Sequence, residues 1–273
     1  MDKKNIVAGI TQGDINGIGY EIIMKALTDT AIAEQCVPVV YGSPKVAAYH
    51  RKVLNITSFN FNNIRSVAEA HPRKINLINC LGDDVRVELG KSTPEGGQAA
   101  LAALENAVGD LTGGRIDVMV TAPIDKHNIQ SEKFRFTGHT DYLRAKAGSN
   151  EALMLMISES MKIGFVTEHL PLRDVPGAIT VSNIVSKLRI LNRSLLQDFA
   201  IRGPRIGVLS LNPHAGDGGL LGSEEKEVII PAITKANEEG ILAFGPFSSD
   251  GLFGSGAFSR FDAILAMYHD QGM

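Results

Sequence analysis

Short apolar runs recur along the chain, all but one broken by a Gly- or Pro-containing turn, the exception by the polar turn Ser158-Glu-Ser160, and most followed by a stretch of helical periodicity. The runs cover residues 5–10, 37–41, 75–79, 117–121, 153–157, 162–166, 205–210 and 263–267. Apolar segments this short read as buried strands. Between them, apolar residues spaced three or four apart predict helices over 20–27, 45–54, 93–111 and 224–239, the last despite Pro231. A further helix starts at a Ser182 cap and buries Ile184, Leu188, Leu191, Leu195 and Phe199. Strand followed by helix, repeated, predicts an α/β fold with mainly parallel strands and helices on both sides. Residues 81–90 alternate loosely and fit an edge ribbon or an ordered loop.

A chain of 273 residues, 44% hydrophobic, can bury one large α/β unit or two smaller lobes. No composition break marks a linker, so residues 1–273 read as a single two-lobed unit. The Pro/Gly-rich stretch 122–138 is the expected crossing, which gives lobes 1–125 and 126–273. The formal net charge of −3 and the lack of a basic stripe exclude a nucleic-acid or anionic-membrane surface. No stretch approaches the roughly 20 uninterrupted apolar residues of a membrane span. Residues 1–5 lead into the first strand without the apolar core of a signal peptide, and Cys36 and Cys80 have no metal or redox spacing. They read as buried thiols in a reducing cytoplasm.

Three of the seven histidines share one station: His169, His214 and His269 each follow a predicted strand by a few residues. In an open parallel sheet, ligands bind outside the carboxyl ends of the strands, where such residues converge. Three imidazoles with an open position suit a catalytic divalent metal. For each histidine alone, a hydrogen-bonded loop role is the plainer reading. His214 lies in Leu211-Asn-Pro-His-Ala-Gly-Asp-Gly-Gly219, a glycine-rich bend from strand to helix. His139 precedes a helix in Phe136-Thr-Gly-His-Thr-Asp-Tyr142, where Thr137 and Thr140 are possible caps, while His50, His71 and His127 lie in polar, surface-like contexts. Asp250 and Asp270 are candidates to orient a ligand or accept a proton, or else turn aspartates. The glycine spacings Gly13, Gly17, Gly19 and Gly216, Gly218, Gly222 do not spell a dinucleotide fingerprint, so the nicotinamide contacts stay unassigned.

Seven motifs occur in a fixed order. They are Ile10-Thr-Gln-Gly-Asp-Ile-Asn-Gly-Ile-Gly19, Thr121-Ala-Pro-Ile-Asp-Lys126, Phe136-Thr-Gly-His-Thr-Asp141, His169-Leu-Pro-Leu172, the bend through Gly222-Ser-Glu-Glu225, Gly245-Pro246 with Asp250, and Tyr268-His-Asp-Gln-Gly272. Together they resemble the 4-hydroxythreonine-4-phosphate dehydrogenase family of vitamin B6 biosynthesis. The resemblance implies two α/β/α lobes of the isocitrate and isopropylmalate dehydrogenase kind, an active-site cleft between them, and cytoplasmic homodimers whose sites combine residues of both subunits. It implies NAD- or NADP-dependent oxidation of 4-phosphohydroxy-L-threonine to a 3-keto acid, which decarboxylates to 3-amino-2-oxopropyl phosphate. Carried over residue by residue, His169, His214 and His269 match ligands of a divalent metal (Zn, Mg or Co), and His139 and Thr140 match substrate contacts.

The opening loop departs from the family pattern at Gln12, Ile15-Asn16 and Tyr20. The resemblance also implies lysine, asparagine and arginine contacts beyond Met273, which reads the chain as truncated there and the first, nicotinamide-side lobe as completed by that tail. Alternatives are a dehydrogenase of threonate or erythronate 4-phosphate, a metal-dependent lyase or hydrolase, or a binding protein without turnover.

Overall fold

Two five-stranded sheets carry the chain in the computed structural model, which describes residues 6–273 except Asp83. The chain divides into two units, Met1–Asn150 and Glu151–Met273.

In the first unit, β1 (Ile6–Thr11), β2 (Cys36–Gly42), β3 (Asn62–Ile64), β4 (Asn76–Asn79) and β5 (Val118–Thr121) pair in the order β3-β4-β2-β1-β5, all parallel. Helices α1 (Gly19–Leu27), α2 (Thr30–Gln35), α3 (Pro44–Val53), α4 (Pro94–Thr112) and α5 (His139–Lys146) complete it. Strand β2 is apolar and buried from Val37 onward because both faces of the sheet are covered: Val40 packs with Tyr20 and Met24 of α1, while Val39 and Tyr41 pack with Ala103 and Ala107 of α4. Thr93 caps α4 by accepting from the Gly96 N–H at 3.1 Å, with Pro94 at the first helical position, as a helix start there predicts.

The second unit holds β6 (Leu155–Ile157), β7 (Lys162–Phe165), β8 (Arg205–Leu209), β9 (Leu242–Phe247) and β10 (Ala263–Ala266), in the order β6-β7-β10-β8-β9. Only β6 is antiparallel, in a hairpin with β7. The helices are α6 (Val175–Ala178), α7 (Val181–Gln197), α8 (Ile230–Glu238), α9 (Ser249–Gly254) and α10 (His269–Gly272). Ile206 and Val208 of β8 face α7 and α8, while Ile264 and Ala266 of β10 face Leu252 of α9. Alternation along the strands thus builds a core on each side of this sheet too. The α/β class with mainly parallel strands therefore holds, as two sheets.

Several local expectations change. The division falls after Asn150 rather than near residue 125, because Tyr142 of α5 stacks on Phe134 and packs with Leu101 and Leu104 of α4, tying residues 126–150 to the first unit. Helix α7 starts earlier than Ser182: Thr180 caps it, its hydroxyl accepting from the Asn183 N–H at 3.2 Å. The helix expected over 224–239 is a wider π turn, Glu225–Ile229, followed by α8, since Pro231 has no N–H to donate. Residues 81–90 form an irregular loop among the described residues, and Asp83 lies outside them, as does Asn5 of the first predicted strand. Cys36 and Cys80 are free and only half-buried. His50 is buried, contrary to its surface-like context, and its Nε2 lies 2.7 Å from the Ile15 carbonyl, tying α3 to the opening loop. Strand β3, strand β9 and helix α2 have no counterpart in the apolar pattern. Among the described residues, no helix is long and apolar enough to cross a membrane.

Candidate active site

Strands β7, β10 and β8 are consecutive neighbours, and a histidine follows each within five residues: His169, His269 and His214. The three strands are parallel, so the three segments leave the same edge of the sheet. Two side chains bind these segments together. The Thr167 hydroxyl donates to the Met267 carbonyl at 2.8 Å, joining the loops after β7 and β10. Gln271 accepts from the Met267 N–H at 2.7 Å and donates to the Ser210 carbonyl at 2.6 Å, joining the loops after β10 and β8.

His269, from the middle strand, has His169 and Phe165 as ring neighbours, each with its centroid 5.9 Å away. Its Nδ1 lies 2.7 Å from Asp270 Oδ1. That carboxylate favours the tautomer with the proton on Nδ1, which leaves the Nε2 lone pair available to an electrophile.

His214 sits in a different kind of backbone. His214, Ala215, Gly216, Asp217 and Gly218 are all left-handed, with φ of 52°, 52°, 76°, 42° and 66°. For a residue with a Cβ this conformation costs about 1–2 kcal/mol, and it persists only where surroundings impose it. Glu225 imposes it. Its buried carboxylate accepts from the N–H groups of Leu211 and Asn212 at 2.8 Å each and from the Asn212 side chain at 3.0 Å. Burial works to raise the Glu225 pKa, yet the hydrogen bonds from Asn212 and Leu211 prevail and hold it below the usual carboxylate range. Lys226 Nζ donates to the Gly218 carbonyl and closes the turn.

In the first unit, His139 opens α5 and is half-buried, with its Nε2 buried and unpartnered among the described residues. Burial, with the nearby Lys126 charge, pushes its pKa down. Thr140 beside it is exposed. Neither Thr137 nor Thr140 caps α5: Gly138 occupies that position, and the Thr137 hydroxyl donates to Asp141 instead.

The profile of the family described as pyridoxal phosphate biosynthetic protein PdxA matches residues 34–273. A Bacteroides thetaiotaomicron protein named 4-hydroxythreonine-4-phosphate dehydrogenase is 52% identical over all of this chain and 75% of its own length. The chain belongs to the PdxA family. The crystal structure of a Burkholderia phymatum 4-hydroxythreonine-4-phosphate dehydrogenase superposes with a TM-score of 0.87 at 32% identity, covering 99% of this chain and 82% of that one. An Oceanobacillus iheyensis relative, 35% identical over all of this chain and 82% of its own, is provisionally named a D-threonate 4-phosphate dehydrogenase.

For a PdxA chain, the residues that could hold a divalent ion are the three strand-end histidines. The donor set suits a borderline metal, and Asp270 orients His269 as carboxylates orient metal-bound imidazoles. The structure pairs His169 with His269 but does not draw His214 into one group with them. Among the described residues, no three His, Cys, Asp or Glu side chains are gathered to hold an ion. Of the two candidate aspartates, Asp270 touches a site histidine, whereas Asp250 is exposed in the first turn of α9 with no hydrogen bond to any of the three.

Glu225, Gln271 and Thr167 had no assigned role in the PdxA sequence pattern. Glu225 and Gln271 lie inside the quoted motifs, so their positions were visible. Their partners, 13–14 and 61 residues away, were not.

Proposed function

We propose that this chain is a divalent-metal-dependent dehydrogenase that uses NAD or NADP to oxidise the C3 hydroxyl of 4-phosphohydroxy-L-threonine. The 3-keto acid so formed decarboxylates to 3-amino-2-oxopropyl phosphate on the route to pyridoxal 5'-phosphate. The observation that carries this reading is the placement of His169, His269 and His214 beyond three adjacent parallel strands, in a chain 52% identical to a relative named for that reaction.

In this reading His169, His214 and His269 hold the metal. When bound, the cation lowers the cost of negative charge on a substrate oxygen, and the nicotinamide accepts the hydride. Asp270 fixes His269 through Nδ1, and its exposed carboxylate is one candidate to take the hydroxyl proton, Asp250 the other. His139 stays neutral near pH 7 and offers its unpartnered Nε2 to substrate, with Thr140 alongside. The working form is a cytoplasmic homodimer that shares residues between sites. A second reading, oxidation of D-threonate 4-phosphate, rests on the Oceanobacillus iheyensis relative.

The test is formation of reduced nicotinamide with each of the two phosphorylated substrates, with NAD and with NADP, before and after chelation and on adding back Zn, Mg or Co. Turnover of 4-phosphohydroxy-L-threonine that disappears with the metal is expected. His214→Ala should lose metal binding and activity while keeping its circular dichroism. Full activity in that variant, or metal-dependent turnover without nicotinamide reduction, would sink the proposal.

A further inference from the structure

One recess of the first unit lies at the opposite end of its strands from the loops after β1 and β5. It has a volume of about 520 Å³ and is lined by Thr28, Ser58, Phe59, Phe61, Arg73 and Lys74, among others. Residues 58–62 lead into β3, residues 73–75 lead into β4, and Thr28 follows α1, which places the recess at the amino ends of parallel strands. No acidic side chain lines it. Among the described residues, neither the Arg73 guanidinium nor the Lys74 ammonium has a hydrogen bond or ion pair.

The loop that presents these two cations is held by a side chain with no exposure. Asn76 accepts from the His71 N–H and from the Asn62 side chain, both at 2.9 Å. Its amide donates to the carbonyls of Lys74 at 2.9 Å, Pro38 at 3.1 Å and His71 at 3.2 Å. The facing wall is fixed as well, since Arg51 donates to the Phe59 carbonyl at 3.1 Å and to Asn60 Oδ1 at 2.6 Å. Phe59 and Phe61 meet edge to face at 4.9 Å and give the recess an apolar floor.

A pair of uncompensated cations on a fixed loop, with the Ser58 hydroxyl and the Asn60 amide in the same lining, suits a phosphate, and an apolar floor of this size suits the organic group that carries it. We propose that this recess is a second ligand site, taking a phosphate monoester of a small organic molecule. The proposal does not rest on the dehydrogenase reading, since it uses none of those residues.

The chain has no tryptophan, so Phe61→Trp places a single reporter in the recess. Adenosine 5'-monophosphate, inorganic phosphate and sodium chloride at matched ionic strength would be titrated against its fluorescence. Adenosine 5'-monophosphate should bind saturably, with a dissociation constant on the order of 1 mM or tighter. It should bind more tightly than phosphate, and about tenfold more weakly once Arg73→Gln and Lys74→Gln are both introduced. Calorimetry of the otherwise unsubstituted chain with and without the two glutamines repeats the comparison should Phe61→Trp disturb the fold. An absent or unsaturable response, equal affinity for phosphate and the monoester, or an affinity unchanged by the two glutamines would overturn the assignment.

Discussion

Gln271 donates to the carbonyl of Ser210 at 2.6 Å, coupling the loop that carries His269 to the residue just before the bend that carries His214. Because the same side chain also accepts from the Met267 N–H, both ends of its amide are committed to placing loops. Gln271→Ala strips a partner from each backbone group. If the three histidines hold a metal as proposed, metal affinity and kcat/KM should then fall about 10–100-fold, as when an outer partner of a metal ligand is lost. Calorimetric titration with Zn alongside steady-state kinetics checks this, and unchanged metal affinity would refute the coupling.

Glu225 supports the strained bend through its charge. With its folded-state pKa held below the ordinary value, the ionised carboxylate stabilises the fold. That contribution is complete above the unfolded pKa of about 4.3 and is lost as pH falls through the lower folded value. Glu225→Gln should cost about 1.5–3 kcal/mol at neutral pH. The penalty should shrink in acid, because the wild-type carboxyl is then protonated too. Urea unfolding at neutral and acid pH measures both, and a penalty independent of pH would show that charge plays no part.

Neighbouring positions of the bend should respond differently. A Cβ on Gly216 would lie 2.6 Å from Glu225 Oε2, so Gly216→Ala displaces the carboxylate that holds the turn and should destabilise by about 1–3 kcal/mol. Ala215, at φ 52°, already has a Cβ in the left-handed region. Ala215→Gly removes about 1 kcal/mol of that strain against a smaller gain in unfolded-state entropy, and should be neutral or slightly stabilising. Thermal melts of the two variants decide it; a drop of similar size in both would contradict the strain argument.

His139 should titrate below its ordinary value of 6.5, because burial and then the Lys126 charge oppose the imidazolium. The unfolded chain thus binds this proton more readily. The associated stability is present above the unfolded pKa and lost as pH falls through it, with no further change below the folded value. A nuclear magnetic resonance titration of the His139 ring reads the midpoint directly. His139→Gln should flatten this part of the stability profile and, on the proposed role, raise KM for the phosphorylated substrate. A midpoint at or above 6.5 would contradict the burial argument.

The sequence by itself determined most of the strands, the long helices and the strand-end station of His169, His214 and His269, since these follow from local periodicity and turn chemistry. Helix α4, opened by Thr93-Pro94, needed nothing more. Strand β9 was hidden because Gly245-Pro246 interrupts its apolar pattern, and α5 was assigned to the wrong side of the division because only Phe134 and Tyr142 in contact show where it packs. Tertiary structure decided that β10, last in the chain, lies between β7 and β8. It also decided that Glu225 and Gln271 act on backbone far upstream, and that His169 pairs with His269 apart from His214. Local patterns fix which way a side chain faces along its own element. Which elements become neighbours is set by burial summed over the whole fold, a quantity that no short stretch of sequence contains.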